Sequence, residues 1–189
     1  MKKKTIIIIA VIIAVIAIIG SIVSSYNSFV DKYEEVETAA SAISTQLQRR
    51  ADLIPNFVNT VQGYSDYEKE TYTAVTEARS AVTRAASVEE QVEAAAGLNS
   101  AIDVWVNAIT EAYPELKANE NYKALQDELA GTENRIAVAR KDYNDAAQEY
   151  NKKIKRFPGK LLAGIFGFDS VNYFEADNNA SSVPQVNFD

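Results

Sequence analysis

Eighteen consecutive residues, Ile6 to Val23, read IIIIAVIIAVIAIIGSIV and contain nothing more polar than Gly20 and Ser21. Wound as an α-helix at ~1.5 Å per residue the stretch is ~27 Å long, close to the ~30 Å hydrocarbon core of a bilayer. No charge interrupts it, and Lys2, Lys3 and Lys4 stand directly in front. Everything after Val23 is polar enough to face water and is periodic in a helical way. The sequence therefore divides into an N-terminal membrane anchor (1–25), a helical bundle domain (26–158), and an apolar segment with an extended tail (159–189).

The same lysines would also serve as the basic region of a cleaved signal peptide. Two features favour a retained signal-anchor instead. The apolar run exceeds the ~7 to 15 residues of a signal core, and Val23-Ser24-Ser25 is a poor A-x-A-like cleavage site. With no cysteine, lipidation offers no alternative anchor. Lys2 to Lys4 precede the span, whereas Lys32 follows among Asp31, Glu34, Glu35 and Glu37, so basic residues place the N-terminus in the cytoplasm and the body outside.

A net charge of −7 argues against nucleic acid as a partner, because binding a duplex needs a basic face. The absence of histidine and cysteine excludes Cys/His zinc sites, thiol chemistry, Ser-His-Asp and Cys-His catalysis, c-type haem attachment and Glu-x-x-His di-iron motifs. Any enzyme would work with carboxylates, Lys or Tyr alone. The expectation is no catalytic site, no metal and no cofactor.

The body carries regular heptads. One series runs Tyr26, Tyr33, Ala40, Leu47, Ile54, Val61 and a second Phe29, Val36, Ile43, Arg50, Phe57: the a and d positions of one helix seam. Gly63 permits a helix end and Ser65 with Glu68 a new capping box, but the seam also continues in phase through Gly63, so helices one and two have two readings, separate or continuous. Helix two, about 66–86, would bury Tyr67, Ala74, Val75, Ala78, Val82 and Ala85. Ser87 with Glu90 caps a third helix with Val88, Val92, Ala95, Leu98, Ile102, Trp105 or Val106, and Ile109 inside, ended by Pro114. After the polar link PELKANE, helix four presents Tyr122, Leu125, Leu129, Thr132, Ile136, Ala139, Tyr143, Ala146, Tyr150 and Phe157, closed by Phe157-Pro158-Gly159. The pattern predicts an all-α, up-and-down four-helix bundle, with a coiled-coil-like long pair (one and four) and a shorter pair (two and three), behind one N-terminal transmembrane helix. The end of helix four then returns beside the start of helix one.

Unusual residues concentrate in QLQRRADLIPNF, 46–57. Heptad phase puts Arg50 on the buried seam, where a guanidinium needs a carboxylate or carbonyl partner. Pro55 removes an amide donor and frees the carbonyl of Ala51, one turn before, close to that arginine. Aligning Tyr26 with Phe157 and running helix four backwards brings Glu133 roughly opposite Arg50, with Glu128 about a turn farther. Two readings stand: a buried ion pair that fixes register, favoured because buried charges most reliably serve registry, or a binding notch.

The carboxylates Glu34, Glu35, Glu37 and Glu89, Glu90, Glu93 read as solvated faces, and the tyrosines as core or interhelical hydrogen bonds. Lys153 shares the seam series of Tyr122 to Phe157 and, if helices one and four run antiparallel, could reach Asp31 or Glu34. The segment Lys160 to Phe168 is apolar and too short to span. It either lies in the membrane interface or caps the open end of the bundle. Residues 169–189 read as largely extended or disordered.

The strings QLQRRADLIPNFVNTVQGY, TEAR (76–79), DYNDAAQEYNKKIKRFPGKLLAGIFGF and YFEA followed by VPQVNF resemble the LemA family of bacterial membrane-anchored helical proteins over nearly the whole chain after Ser25. The resemblance implies a helical bundle behind a transmembrane segment, and no reaction. It singles out Gln46, Arg49, Arg50, Asp52, Leu53, Ile54, Pro55, Asn56, Tyr64, Arg79, Tyr143, Asn144, Tyr150, Asn151, Phe157, Pro158 and Gly159 as motif positions without assigning roles. The favoured expectation is a non-enzymatic interaction or scaffold protein, single-pass in the bacterial cell membrane, with a membrane or envelope protein as partner and room for a homo-oligomer. The alternative is an extracytoplasmic ligand-sensing bundle, although such a sensor ordinarily needs a second span and a cytoplasmic output.

Overall fold

The computed structural model describes residues 2–62 and 69–175. It consists of α1 (Lys2–Gln62), α2 (Lys69–Arg84), α3 (Val88–Ala112), a 3-10 turn (Pro114–Ala118), α4 (Glu120–Lys155) and α5 (Gly159–Phe166), with no strand among the described residues. The all-α bundle expected from the heptads is the fold observed. Gly63 and the Ser65–Glu68 capping pattern, with Tyr64 and Tyr67, lie outside the described residues, as does VPQVNF.

The apolar run and the first heptads belong to one helix, α1, which continues through Pro55. Its d positions Phe29, Val36, Ile43, Arg50 and Phe57 are all buried. The a series is buried at Leu47, Ile54 and Val61, while Tyr26 and Tyr33 stay about 40% exposed (41% and 39%). From Ile6 to Val23 the side chains are open to the surroundings, for example Val15 at 48% and Ile16 at 64%, so this run finds no protein partner to bury it. It is the one described helix long and apolar enough to cross a membrane.

The chain divides into two compact units, each built on part of α1 and part of α4. Residues Glu37–Asp142 form the first. Here α1 and α4 run antiparallel, as Arg49 meets Glu128 and Phe57 meets Tyr122. Trp105 of α3 stands edge-on to Phe57 at 5.2 Å. Val75 and Val82 of α2 and Leu98, Ile102 and Ile109 of α3 complete the core. The cap expected at Ser87 is present: its hydroxyl accepts from the Glu90 amide, while the Glu90 carboxylate accepts from Ala86 rather than from Ser87 itself. Ala74, expected inside, is exposed. The link after α3 is not merely polar, because Leu116 in the 3-10 turn is fully buried. Asn119 caps α4 by accepting from the Tyr122 amide.

The second unit comprises Met1–Val36 with Tyr143–Asp189. In it the end of α4 lies beside α1 just past the apolar run, as the helix lengths predict. Tyr33 packs on Tyr150 with ring centroids 5.6 Å apart, and Lys153 donates to the Ser28 hydroxyl. The partner of Lys153 is therefore a neutral hydroxyl rather than Asp31 or Glu34, because Ser28 lies nearer on the facing helix. Phe157 also departs from its assigned place on the buried seam. Helix α4 stops at Lys155, the heptad phase ends with Ile154, and the Phe157 ring swings out to 88% exposure. Short α5 follows and ends at Gly167, whose left-handed backbone (φ 75°) glycine adopts without steric cost.

Candidate functional site

The described motif residues fall into two stretches, one in each unit. In Glu37–Asp142 they lie along α1 from Gln46 to Asn56, together with Arg79 of α2. A helical residue at 55 would donate to the carbonyl of Ala51, and proline has no N–H to give. Arg79 of α2 supplies the missing donor: its Nε lies 2.8 Å from the Ala51 oxygen. The acceptor freed by Pro55 thus serves Arg79, not Arg50. The same guanidinium stands 3.9 Å from Asp52, which also accepts from Gln48 at 2.8 Å.

Arg50 pairs with Glu133 of α4, the residue that the antiparallel register brings opposite. Its side chain is only 8% exposed, that of Glu133 49%, so the pair is buried on one side only. Asn99 of α3 donates to the same carboxylate oxygen at 3.2 Å, joining a third helix to the pair. Arg49 reaches Glu128 at 2.6 Å, and Arg135 binds the same oxygen at 2.8 Å. Gln46 lines a groove of ≈ 330 Å³ with Ala42, Arg135, Val138 and Asp142, and its Oε1 is buried without a hydrogen-bond partner among the described residues, as is Nε of Arg135. Ile54 is buried and Leu53 half-buried. Asn56 is exposed, its carbonyl accepting from the Thr60 hydroxyl. Tyr64 is outside the described residues.

The second stretch is a ladder along α4. Tyr143-Asn144 and Tyr150-Asn151 repeat one dipeptide at a spacing of seven, two helical turns, so both copies share a face. Against this face lies the extended chain after α5. Asn151 donates to the Val171 carbonyl (2.8 Å) and accepts from its amide (3.0 Å). Asn144 does the same with Phe174, at 2.8 and 2.9 Å. The Tyr150 hydroxyl donates to Asp169 O and the Tyr143 hydroxyl to Asn172 O. A side-chain amide offers one donor and one acceptor side by side, matching the N–H and C=O of a single extended residue. Residues 169–174 are thus held by their backbone, where the sequence suggested only extended or disordered chain. The sequence signal for this order is the repeated Tyr-Asn pair of α4. Burial pushes the Tyr150 hydroxyl pKa up, and Tyr33 and Asp169 add to the effect.

Gly159 closes the corner between α4 and α5. A Cβ there would sit 2.3 Å from the Lys153 carbonyl oxygen and 3.3 Å from the Phe29 ring, so no larger residue fits without moving backbone. Pro158 precedes α5 as its N-cap. The carboxylates assigned to solvated faces, Glu34, Glu35, Glu37, Glu89, Glu90 and Glu93, are all exposed. Among the described residues no group of Asp or Glu converges where a metal could be held.

The fold and its exposed apolar run define a membrane-associated helical protein. A family model described as the LemA family matches residues 39–188, and the chain belongs to that family. It is 27% identical over 186 residues to magnetosome protein MamQ 2 of Paramagnetospirillum magneticum, covering 85% of this chain and 68% of that protein. It is 27% identical over 198 residues to magnetosome protein MamQ of Magnetospirillum gryphiswaldense, covering 85% and 70%. It is 26% identical over 166 residues to protein LemA of Metamycoplasma hominis, covering 86% and 73%.

Proposed function

We propose that this protein is a non-enzymatic, membrane-anchored helical interaction or scaffold protein of the bacterial cell envelope, with its N-terminus in the cytoplasm and its bundle outside. The observation that carries this reading is the run from Ile6 to Val23, open along its whole length on a helix whose later turns build the bundle. The motif side chains support it. Arg79, Arg50, Asn144 and Asn151 bond to neighbouring helices or to the chain's own backbone, so these motif positions support the fold rather than converge on a reacting centre. Relatives named for the magnetosome and LemA of a mycoplasma share most of this length, which favours a role tied to membranes rather than to one pathway.

A photo-crosslinker placed at exposed Val104 or Val138 in living cells tests the reading. Recovery of one defined membrane or envelope protein from both positions supports it, and protease added outside spheroplasts should remove the bundle. Protection of the bundle overturns the orientation.

The ligand-sensing alternative draws on the groove at Gln46, whose buried amide oxygen lacks a partner among the described residues. A bound small molecule retained through purification, with no crosslinked protein, would favour it.

A further inference from the structure

The geometry points to a binding site for the phosphate of an anionic phospholipid headgroup, in the groove between α1 and the end of α4. The groove measures ≈ 430 Å³, and Ser24, Ser25 and Ser28 form one wall. Lys32, Lys152, Lys153 and Arg156 line it against one acid, Glu149. In a chain of net charge −7 this concentration of cations is local and opposite in sign to the whole. Two of the four are neutralised, Lys32 by Glu35 at 2.6 Å and Lys152 by Glu149 at 3.2 Å. Lys153 meets only the Ser28 hydroxyl, and Arg156 forms no side-chain ion pair among the described residues. The Ser25 hydroxyl donates to the Ser21 carbonyl at 2.8 Å, so the donors that face open space are Lys153, the forked guanidinium of Arg156 and the hydroxyls of Ser24 and Ser28, a set suited to a phosphate oxyanion.

Position selects the source of that phosphate. Ser24 follows Val23 directly, and at ~1.5 Å per residue Ser24 to Ser28 lie within ~8 Å of the end of the apolar run. The headgroup layer on each side of a bilayer is about 5 to 8 Å deep, so the groove opens within it. The surrounding surface is apolar as an interfacial surface must be. Phe157, on the lip of the groove, is 88% exposed, and α5 presents Leu161, Ile165 and Phe166. Tyr26 packs edge-on against Phe166 and Phe168 with ring centroids 5.1 and 5.6 Å away, an aromatic cluster at the depth where such rings gather. The acyl chains of a lipid seated here continue along the exposed apolar run of α1. Of the two readings open for the segment after Gly159, this assigns it to the membrane interface.

Native mass spectrometry of the full chain released from detergent micelles tests the site, with phosphatidylglycerol, phosphatidylcholine or inorganic phosphate added. Phosphatidylglycerol should be retained over phosphatidylcholine, and K153Q/R156Q should weaken its retention by about tenfold or more, the effect of two juxtamembrane charges. The pair K153R/R156K, which keeps both charges, should retain it. The pair K117Q/K123Q, which removes the same charge from exposed positions on the 3-10 turn and α4, should leave retention unchanged. Equal retention of the two lipids, or equal losses from the two glutamine pairs, overturns the proposal. Displacement of phosphatidylglycerol by millimolar inorganic phosphate overturns the lipid source and assigns the groove to a free anion.

Discussion

Arg79 donates its Nε–H to the carbonyl oxygen of Ala51, 2.8 Å away, and so replaces from a neighbouring helix the bond that Pro55 cannot make within its own. Proline inside a helix is ordinarily a defect. Here the defect is an attachment point, because the freed carbonyl is aimed at α2 and the arginine meets it. Two motif strings far apart in sequence, LIPNF and TEAR, thereby act as one.

Coupling between the two positions follows. Arg79→Ala should destabilise the unit by about 1 to 3 kcal/mol, the cost of leaving a buried carbonyl without a donor. In a Pro55→Ala background the same change should cost markedly less, since the new amide bonds Ala51 directly. Denaturant unfolding of the full chain in micelles, followed by the fluorescence of buried Trp105, the sole tryptophan, measures both. Equal cost in the two backgrounds would contradict the coupling.

The Arg50–Glu133 pair should be asymmetric. Glu133→Ala leaves a guanidinium buried without its carboxylate, whereas Arg50→Met leaves a carboxylate already half in water and still bonded to Asn99. Glu133→Ala should therefore lower stability by about 1 to 3 kcal/mol and Arg50→Met by less. The same fluorescence assay ranks them, and the opposite order would show that burial does not govern the pair.

Asn151→Ala should release the extended segment without unfolding α4. It removes both bonds to Val171, and hydrogen exchange at the Val171 amide should accelerate by about tenfold or more, as for loss of a bond worth over ~1 kcal/mol. Asn144→Ala should do the same at Phe174. Unchanged exchange at both amides would mean that the asparagines do not hold the segment.

Alkaline pH should loosen the second unit. Because burial raises the Tyr150 pKa in the folded state, the unfolded chain releases its proton first, from about pH 10. The stability contributed by the neutral phenol is complete below that pH and is lost as pH rises toward the folded pKa. Tyr122, also raised by burial, acts in the same direction in the first unit. Absorbance titration should show late-ionising tyrosines, and Tyr150→Phe should remove one of them and flatten the alkaline decline. An unaltered titration in the variant would refute the assignment.

Much of this arrangement is written in local pattern. The spacing of Phe29, Val36, Ile43, Arg50 and Phe57 sets one face of α1 whatever packs on it, and Ser87 caps α3 through bonds within a single turn. Antiparallel pairing carried the register far enough to bring Glu133 to Arg50, because two heptad seams that share a core have few ways to align. A run of apolar residues with no polar face, Ile6 to Val23, likewise declares its solvent by composition alone.

Tertiary structure decided what periodicity does not encode. That Arg79 serves Ala51 depends on where α2 crosses α1. That Phe157 turns outward depends on the corner between the end of α4 at Lys155 and the start of α5 at Gly159, where the backbone passes so close to the Lys153 carbonyl oxygen that only glycine fits. The strip from Asp169 to Phe174 has no helical or strand pattern of its own, since its order comes from the side chains of Asn144, Asn151, Tyr143 and Tyr150 bonding to its backbone. Local sequence determined which residues make helices and which face of each is buried, because those follow from bonds and contacts within a few turns. Which polar group answers which was left to the packing, because each such partner lies on another segment and its choice depends on distances that only the folded chain sets.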